Sequence, residues 1–329
     1  MSSWKTAQSK RQTANRTKWG LTILAVVIGL LVIGKGVRFV QTLFVPWHSG
    51  VTTARNFSWN GDFNINAIIK TQKVSLLSFN PQEQKITIVD IPDNSYLDVA
   101  NGFGKWELRS IYDLGGGQLL TKTLSDLFGL PIEGFMTFSG KYSQEQTNNI
   151  VDDLRKDPIS IMSMLPYLKT DLTLFELMRL KMGLASVRFD KINHIDLGNE
   201  DVLMKNKLAD GTEILDPDII RLDSLLAASS IDPKIQMEHK TIAIFNSTDH
   251  PGLAQKAGRL ITNIGGDVII TSNGKNKHQL TGIYGEKSKT LDRLKQIFNV
   301  RDTIKATDED LVSSRAQINL FLGDDYFEK

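Results

Sequence analysis

The chain has 329 residues, of which 41% are hydrophobic, and its 39 Lys and Arg residues nearly balance its 37 Asp and Glu residues. It contains no Cys, which excludes a disulfide framework and any zinc or iron–sulfur site held by thiolates. Residues 1–45 include several Lys and Arg residues but no Asp or Glu, so the remainder is mildly acidic. It therefore lacks the clustered positive charge that nucleic-acid binding requires.

The first predicted element is a transmembrane helix. Residues 19–34 carry no charge, and a helix extended through residues 35–40 is long enough for a bilayer core of roughly 30 Å. Basic residues precede this run, which predicts a cytoplasmic tail at residues 1–18, a membrane helix at residues 19–40 and extracytoplasmic C-terminal domains. A cleaved signal peptide is the alternative, but Lys35, Arg38 and Phe39 stand where a small-residue cleavage site would lie.

The sequence next predicts a linker and an α/β domain. Residues 41–61 are polar and aperiodic, which indicates a juxtamembrane linker, whereas residues 62–235 mix strand-like and helix-like apolar patterns. Strands are predicted at 64–69, 74–79, 85–91 and 189–197, and helices at 118–128, 143–155, 158–167, 173–183 and 216–229. Asp171 or Thr173 is expected to cap the fourth of these helices.

Residues 240–329 form a second, compact pattern. Strands are predicted at 241–245, 267–271 and 317–322, and helices at 253–264 and 287–298. The fold class is therefore α/β, with one N-terminal transmembrane helix, an α/β domain and a small C-terminal domain built on a βαβ unit. Asn246, Ser247 and Thr248 precede a helix, where they could bind an anion through backbone N–H groups or simply cap that helix.

Several motifs, in this order, resemble the LytR-CpsA-Psr (LCP) family. They are residues 75–81 (SLLSFNP), 85–92 (KITIVDIP), 111–138 (IYDLGGGQLLTKTLSDLFGLPIEGFMTF) and 168–197. Residues 241–329 are similar to the LytR C-terminal domain through the segments IFNST, GLA and LGDDY. The resemblance implies enzymes that move lipid-linked anionic glycopolymers onto peptidoglycan, holding a polyprenyl pyrophosphate with arginines and using aspartates and Mg²⁺.

The sequence departs from the family where that chemistry is expected. Residues 70–73 (KTQK) stand in place of the family's RSDT, and Asp93 replaces the arginine of its IPRD. The segment that carries the family's RxR arginines is missing between Tyr142 and Lys169. Lysine does not reproduce the bidentate phosphate contact of arginine, so the LCP-like domain is predicted to be degenerate at its catalytic positions.

The expected function is therefore that of a non-catalytic cell-envelope protein that binds or scaffolds envelope glycopolymer, its lipid carrier or other envelope proteins. The alternative is an active LCP-type phosphotransferase. No cofactor is expected, apart from Mg²⁺ if the enzyme alternative holds. The expected partners are the lipid bilayer, through residues 19–40, and polyprenyl-linked glycopolymer or peptidoglycan, but not nucleic acid.

Two groups of residues are candidates for a site in the LCP-like part. A possible anion- or pyrophosphate-binding group consists of Lys70, Lys73, Lys105 and Arg109. The other interpretation of these residues is that they are solvated charges at strand ends. Asp90 and Asp93 could bind a metal ion through carboxylate oxygens, although ordinary surface carboxylates fit the same pattern.

Overall fold

The computed structural model describes residues 57–157, 160–300 and 314–328. The predicted cytoplasmic tail, the predicted transmembrane helix and most of the predicted linker lie outside the described residues. Within the described ranges, no helix combines the length and the apolar character needed to cross a bilayer. The described part is a mixed α/β structure, which confirms the predicted fold class at that level.

A six-stranded mixed sheet lies in the first half of the described chain. Its strands are β1 (Ile65–Lys70), β2 (Val74–Asn80), β3 (Lys85–Ile91), β6 (Gly134–Phe138), β7 (Leu168–Thr170) and β8 (Ile192–Asp196). They lie in the order β7-β6-β1-β2-β3-β8. The predicted strands β1, β2 and β3 form an antiparallel meander, and β6 and β8 extend it in parallel on its two sides.

Helices cover both faces of this sheet. They are α1 (Leu108–Phe128) on one face, and α2 (Thr147–Lys156), α3 (Ser160–Met164) and α4 (Leu174–Ala185) on the other. Successive side chains of a strand point to opposite faces, so Ile68 packs in the cluster with α1 and Ile69 in the cluster with α2 to α4. Because both faces of the sheet are covered, the residues of β1 and β2 are buried almost throughout, including polar residues such as Asn66 and Ser75.

Helix α1 is longer than its periodic pattern predicts. The prediction covered residues 118–128, whereas the helix starts at Leu108. Gly115 and Gly116 have non-helical backbone angles inside it. Because this interruption changes the direction in which side chains point, the apolar residues before and after it do not follow one helical period.

The helices of the opposite face also differ from the predicted bounds. The helix predicted at 143–155 starts at Thr147, because a short 3₁₀ turn at Gly140–Gln144 precedes it. Of the two expected caps for α4, Thr173 is the one used. Its hydroxyl accepts a hydrogen bond from the backbone N–H of Glu176 at 3.2 Å, and the Glu176 carboxylate accepts one from the backbone N–H of Thr173 at 2.8 Å.

Two hairpins that the sequence did not predict follow the main strands. They are β4 (Tyr96–Val99) with β5 (Gly104–Glu107), and β9 (Leu203–Lys207) with β10 (Glu213–Pro217). β5 and β9 are largely exposed, so they lack the regular apolar alternation from which strands are predicted. Helices α5 (Ile219–Ser230) and α6 (Pro233–Glu238) connect the second hairpin to the C-terminal part.

The C-terminal part contains a four-stranded sheet in the order β12-β11-β14-β13. Its strands are β11 (Thr241–Asn246), β12 (Asp267–Asn273), β13 (Gly282–Gly285) and β14 (Ile318–Leu322), and its helices are α7 (Leu253–Asn263), α8 (Lys289–Ile297) and α9 (Asp324–Glu328). β11 and β12 are parallel and α7 connects them, so the predicted βαβ unit is present.

The two sheets contribute to one continuous hydrophobic cluster, which includes Leu124 of α1, Leu226 of α5 and Ile261 of α7. Arg259 of α7 adds polar contacts to this packing. Its guanidinium donates two hydrogen bonds to Asp223, at 2.7 and 2.8 Å, and one to each of the backbone carbonyls of Asp126 and Leu127, at 2.6 and 2.7 Å. These carbonyls end α1 and have no partner within the helix, so Arg259 joins α1 to the C-terminal part.

Candidate functional site

The predicted basic group lies around the beginning of α1. Lys70 ends β1, Lys73 follows it in the turn to β2, Lys105 is on β5 and Arg109 is in the first turn of α1. The Lys70 ammonium nitrogen lies 4.8 Å from the centre of the Tyr112 ring, which also belongs to α1. A cation over an aromatic face is stabilised by the ring, and no described carboxylate forms an ion pair with Lys70.

Two members of this group are already neutralised by acids. The Lys105 ammonium lies 3.2 Å from a carboxylate oxygen of Asp216, and the Arg109 guanidinium forms an ion pair with Glu107. Asp93 is exposed near Arg109, whose backbone N–H donates to the Asp93 carbonyl at 3.1 Å. A pyrophosphate at this place would have to displace carboxylates from two of the four cations and approach a third acid.

The predicted metal candidate Asp90 is engaged by other side chains. The Ser75 hydroxyl donates to one of its oxygens at 2.5 Å, and the His194 Nε2 atom lies 2.8 Å from the other. The Ser75 oxygen is also 2.8 Å from the Thr147 hydroxyl of α2. Nowhere in the described ranges do three or more His, Asp or Glu side chains gather in a group that could hold a metal ion. A Mg²⁺ ion bound by Asp90 would have to replace the contacts of this carboxylate with Ser75 and His194.

Strand register, which the sequence does not reveal, produces the contacts of Asp90. Ser75 and Asp90 are direct partners across β2 and β3. His194 on β8 is aligned with Ile88 of β3, which lies two residues before Asp90 on the same strand. No local spacing connects these residues, since they belong to three different strands.

The segment Asn246, Ser247 and Thr248 forms a turn closed by its own side chains. The Asn246 side-chain oxygen accepts hydrogen bonds from the Thr248 backbone N–H at 3.2 Å and from the Thr248 hydroxyl at 2.8 Å. The Thr248 hydroxyl in turn accepts the backbone N–H of His250 at 3.0 Å. The N-cap position of α7 is Gly252, and no side chain accepts a hydrogen bond there. The Asn246 and Thr248 side chains therefore shape the turn and do not cap the helix, and the Ser247 hydroxyl has no hydrogen-bond partner in the described structure.

A cavity that sequence reasoning missed lies between α1 and the C-terminal helices. Its volume is about 540 Å³, within the range of roughly 300–1,000 Å³ that is usual for small-molecule sites. Much of its wall is apolar and aromatic, and this part includes Trp59, Phe135, Leu260, Phe298 and Phe327. The lining comes from segments far apart in the sequence, so no motif could reveal it.

The positively charged side chain of Lys122, which belongs to α1, lines this cavity. Its ammonium donates to the side-chain oxygen of Asn101 at 2.7 Å and to the backbone carbonyl of Phe327 at 2.5 Å. Burial lowers the pKa of Lys122 below its usual value, and the negative charge of Asp126 partly opposes this effect. The direct acceptors of this partly buried ammonium are therefore neutral groups.

The C-terminal part of the chain matches a known protein family. Residues 240–326 match the family model of the LytR cell envelope-related transcriptional attenuator, which confirms the resemblance to the LytR C-terminal domain. No curated protein matches the chain.

Solved structures with a similar arrangement include members of the LCP family. B. subtilis TagT is 14% identical over 55% of this chain and 96% of that chain, with a TM-score of 0.39. B. subtilis TagV is 12% identical over 51% of this chain and 95% of that chain, with a TM-score of 0.41. The LytR-CPS2A-psr family protein YwtF (TagT) with bound octaprenyl pyrophosphate lipid is 14% identical over 54% of this chain and 93% of that chain, with a TM-score of 0.38.

Proposed function

We propose that this chain is a single-pass membrane protein whose C-terminal part acts outside the cytoplasm at the cell envelope. Its role in this proposal is to bind or scaffold envelope glycopolymer, a polyprenyl lipid carrier or other envelope proteins, without transferring glycopolymer. The match of residues 240–326 to a cell-envelope-related family supports the envelope assignment. The uncharged run at residues 19–34 with its basic N-terminal flank supports the anchor.

The observation that carries the non-catalytic part is the charge balance at the predicted pyrophosphate site. Lys105 and Arg109 are paired with Asp216 and Glu107, and Asp93 stands where the family has an arginine. Transfer of a phosphoryl group needs preorganised cations that neutralise charge as the leaving group departs. A site whose cations are neutralised by its own carboxylates is poorly prepared for that task.

The second candidate is an active LCP-type phosphotransferase. Its substrate would belong to the class of polyprenyl pyrophosphate lipid that the YwtF (TagT) structure holds. The contact of Lys70 with the Tyr112 ring favours it, because among the described residues no carboxylate is paired with this cation and would have to be released before it meets a phosphate. In this candidate Lys70, Lys73, Lys105 and Arg109 would bind the pyrophosphate.

One experiment separates the two candidates. The full chain in lipid nanodiscs is incubated with a polyprenyl-pyrophosphate-linked glycan and Mg²⁺, and release or transfer of the glycan phosphate is followed over time. We expect binding without turnover. Turnover that disappears in Arg109→Ala would establish the enzyme instead.

A second experiment tests the envelope assignment. Protease added to intact cells is expected to digest residues 62–329, and protection of this part would contradict the envelope assignment.

A further inference from the structure

The cavity between α1 and the C-terminal helices has a hydrogen-bond donor that the described residues leave unused. An ammonium group carries three N–H donors. Lys122 directs two hydrogen bonds to Asn101 and Phe327, and it forms no ion pair with another described residue. It is therefore a partly buried cation with no carboxylate in direct contact among the described residues.

Two further polar atoms of cavity-lining residues are buried without a partner in the described structure. They are the Arg293 Nε atom and the Thr121 hydroxyl oxygen. Arg293 is almost fully buried, with 2% of its surface exposed. Both atoms expose almost no surface, so the open volume does not reach them, and Lys122 is the donor on which the inference rests.

Two other cations of the cavity wall, Lys256 and Arg293, are each paired with a carboxylate. The Lys256 ammonium lies 2.6 Å from a carboxylate oxygen of Asp126. The Arg293 Nη2 atom donates to a carboxylate oxygen of Glu133 at 2.5 Å and to the Asn64 carbonyl at 3.0 Å. These contacts leave Lys122 as the cation most available to a ligand.

We propose that this cavity binds an anionic amphiphile, a small molecule with one carboxylate or phosphate group and an apolar body. The acidic group accepts hydrogen bonds from Lys122, and the apolar body lies against the aromatic wall formed by Trp59, Phe135 and Phe298. The site is distinct from the predicted pyrophosphate site, because Lys70 and Arg109 do not line the cavity. The inference does not depend on the envelope assignment or on catalysis.

The test is calorimetric titration of the full chain in lipid nanodiscs with octanoate, octyl phosphate and octanol, each below its micelle concentration. Titration of empty nanodiscs is subtracted to remove partition into the bilayer. We expect both anions to bind more tightly than octanol. The anion that binds more tightly shows whether the site prefers a carboxylate or a phosphate head group.

Lys122→Met keeps most of the length of the side chain and removes its charge. We expect it to weaken both anions about tenfold or more and to leave octanol unchanged, because only the charge-assisted hydrogen bond is lost. Lys205→Met is the matched control, since Lys205 is exposed on β9 and does not line the cavity. Equal affinities in these two variants would overturn the proposal, as would an octanol affinity equal to that of the anions.

Leu260→Trp tests the place of binding, because the larger side chain fills part of the cavity. We expect it to weaken octanoate, octyl phosphate and octanol together. If neither anion binds the unaltered chain, the proposal is wrong. If Leu260→Trp does not fold, the comparison of Lys122→Met with Lys205→Met still decides.

Discussion

At the scale of the residue, the chemistry of the predicted pyrophosphate site depends on which charges face one another. Lys105 and Arg109 are exposed, and each is paired with a carboxylate. Exposed pairs of this kind are weak, typically about 0–1 kcal/mol, so a strongly anionic ligand could still displace them. Asp93 differs because it adds a negative charge at the position where the sequence resemblance leads us to expect an arginine.

Changing Asp93→Arg therefore tests this site directly. The substitution replaces a repelling carboxylate with a guanidinium that can bind phosphate oxygens in bidentate fashion. We expect the affinity of the full chain for inorganic pyrophosphate to increase about tenfold, as measured by calorimetric titration in nanodiscs.

Asp210→Arg makes the same change of net charge in the exposed turn between β9 and β10. It is the control for nonspecific attraction, and we expect it to have little effect. An equal gain of affinity in both variants would show that Asp93 has no special relation to the bound anion.

At the scale of the element, α1 is shaped by its glycines. Gly116 has φ 66° and ψ −162°, a combination that is open essentially only to glycine. Gly117 packs so closely on Phe135 that a Cβ atom would lie 2.7 Å from a ring carbon. The first part of α1 therefore changes direction near the predicted basic group, while its second part lines the cavity.

We expect Gly116→Ala to lower the free energy of unfolding by about 1–3 kcal/mol, because alanine strains this backbone conformation. Nothing lies within 4 Å of the position where the added Cβ would stand, so the effect is one of backbone strain and not of a steric clash. Equilibrium urea unfolding measures it. Asp113→Ala, at an exposed helical position of α1, is the control and should change stability by less than about 0.5 kcal/mol. Equal stability of Gly116→Ala and the control would mean that the bend of α1 is not fixed by Gly116.

At the scale of the whole molecule, the two sheets are joined by packing and by buried polar contacts. One hydrophobic cluster extends across both. The ion pair of Arg293 on α8 with Glu133, just before β6, is well shielded, since the two side chains expose 3% and 15% of their surfaces. Arg259 adds its contacts with Asp223 and with the end of α1. These contacts predict that the described residues unfold cooperatively.

Removing one partner of a buried ion pair leaves the other charge without compensation, which typically costs about 3–5 kcal/mol. We therefore expect Glu133→Ala to shift a single calorimetric unfolding transition to lower temperature without splitting it. Glu213→Ala, which removes an exposed partner of Lys207, is the control and should leave the transition nearly unchanged. Two separate transitions in the unaltered chain would show that its halves unfold independently.

The sequence by itself determined the elements whose signals lie within a few residues. The hairpin of β2 and β3 is an example, because the Asn80 side chain accepts hydrogen bonds from the backbone of Gln82 and Glu83 in the turn between them. Thr173 and Glu176 form a capping box at the usual three-residue spacing. The βαβ unit of the C-terminal part was also predicted, because its apolar periods are regular.

Only the tertiary structure decided which side chains meet. Lys105 and Asp216 are 111 residues apart, and Asp90 and His194 are 104 residues apart. Whether a cation is free for a ligand or held by a carboxylate depends on such pairs, and these follow from strand register and helix packing. The cavity around Lys122 has the same origin, because its walls come together only when the two sheets are joined. Local chemistry fixes a turn or a cap, whereas charge balance and enclosed volume are properties of surfaces that exist only after folding.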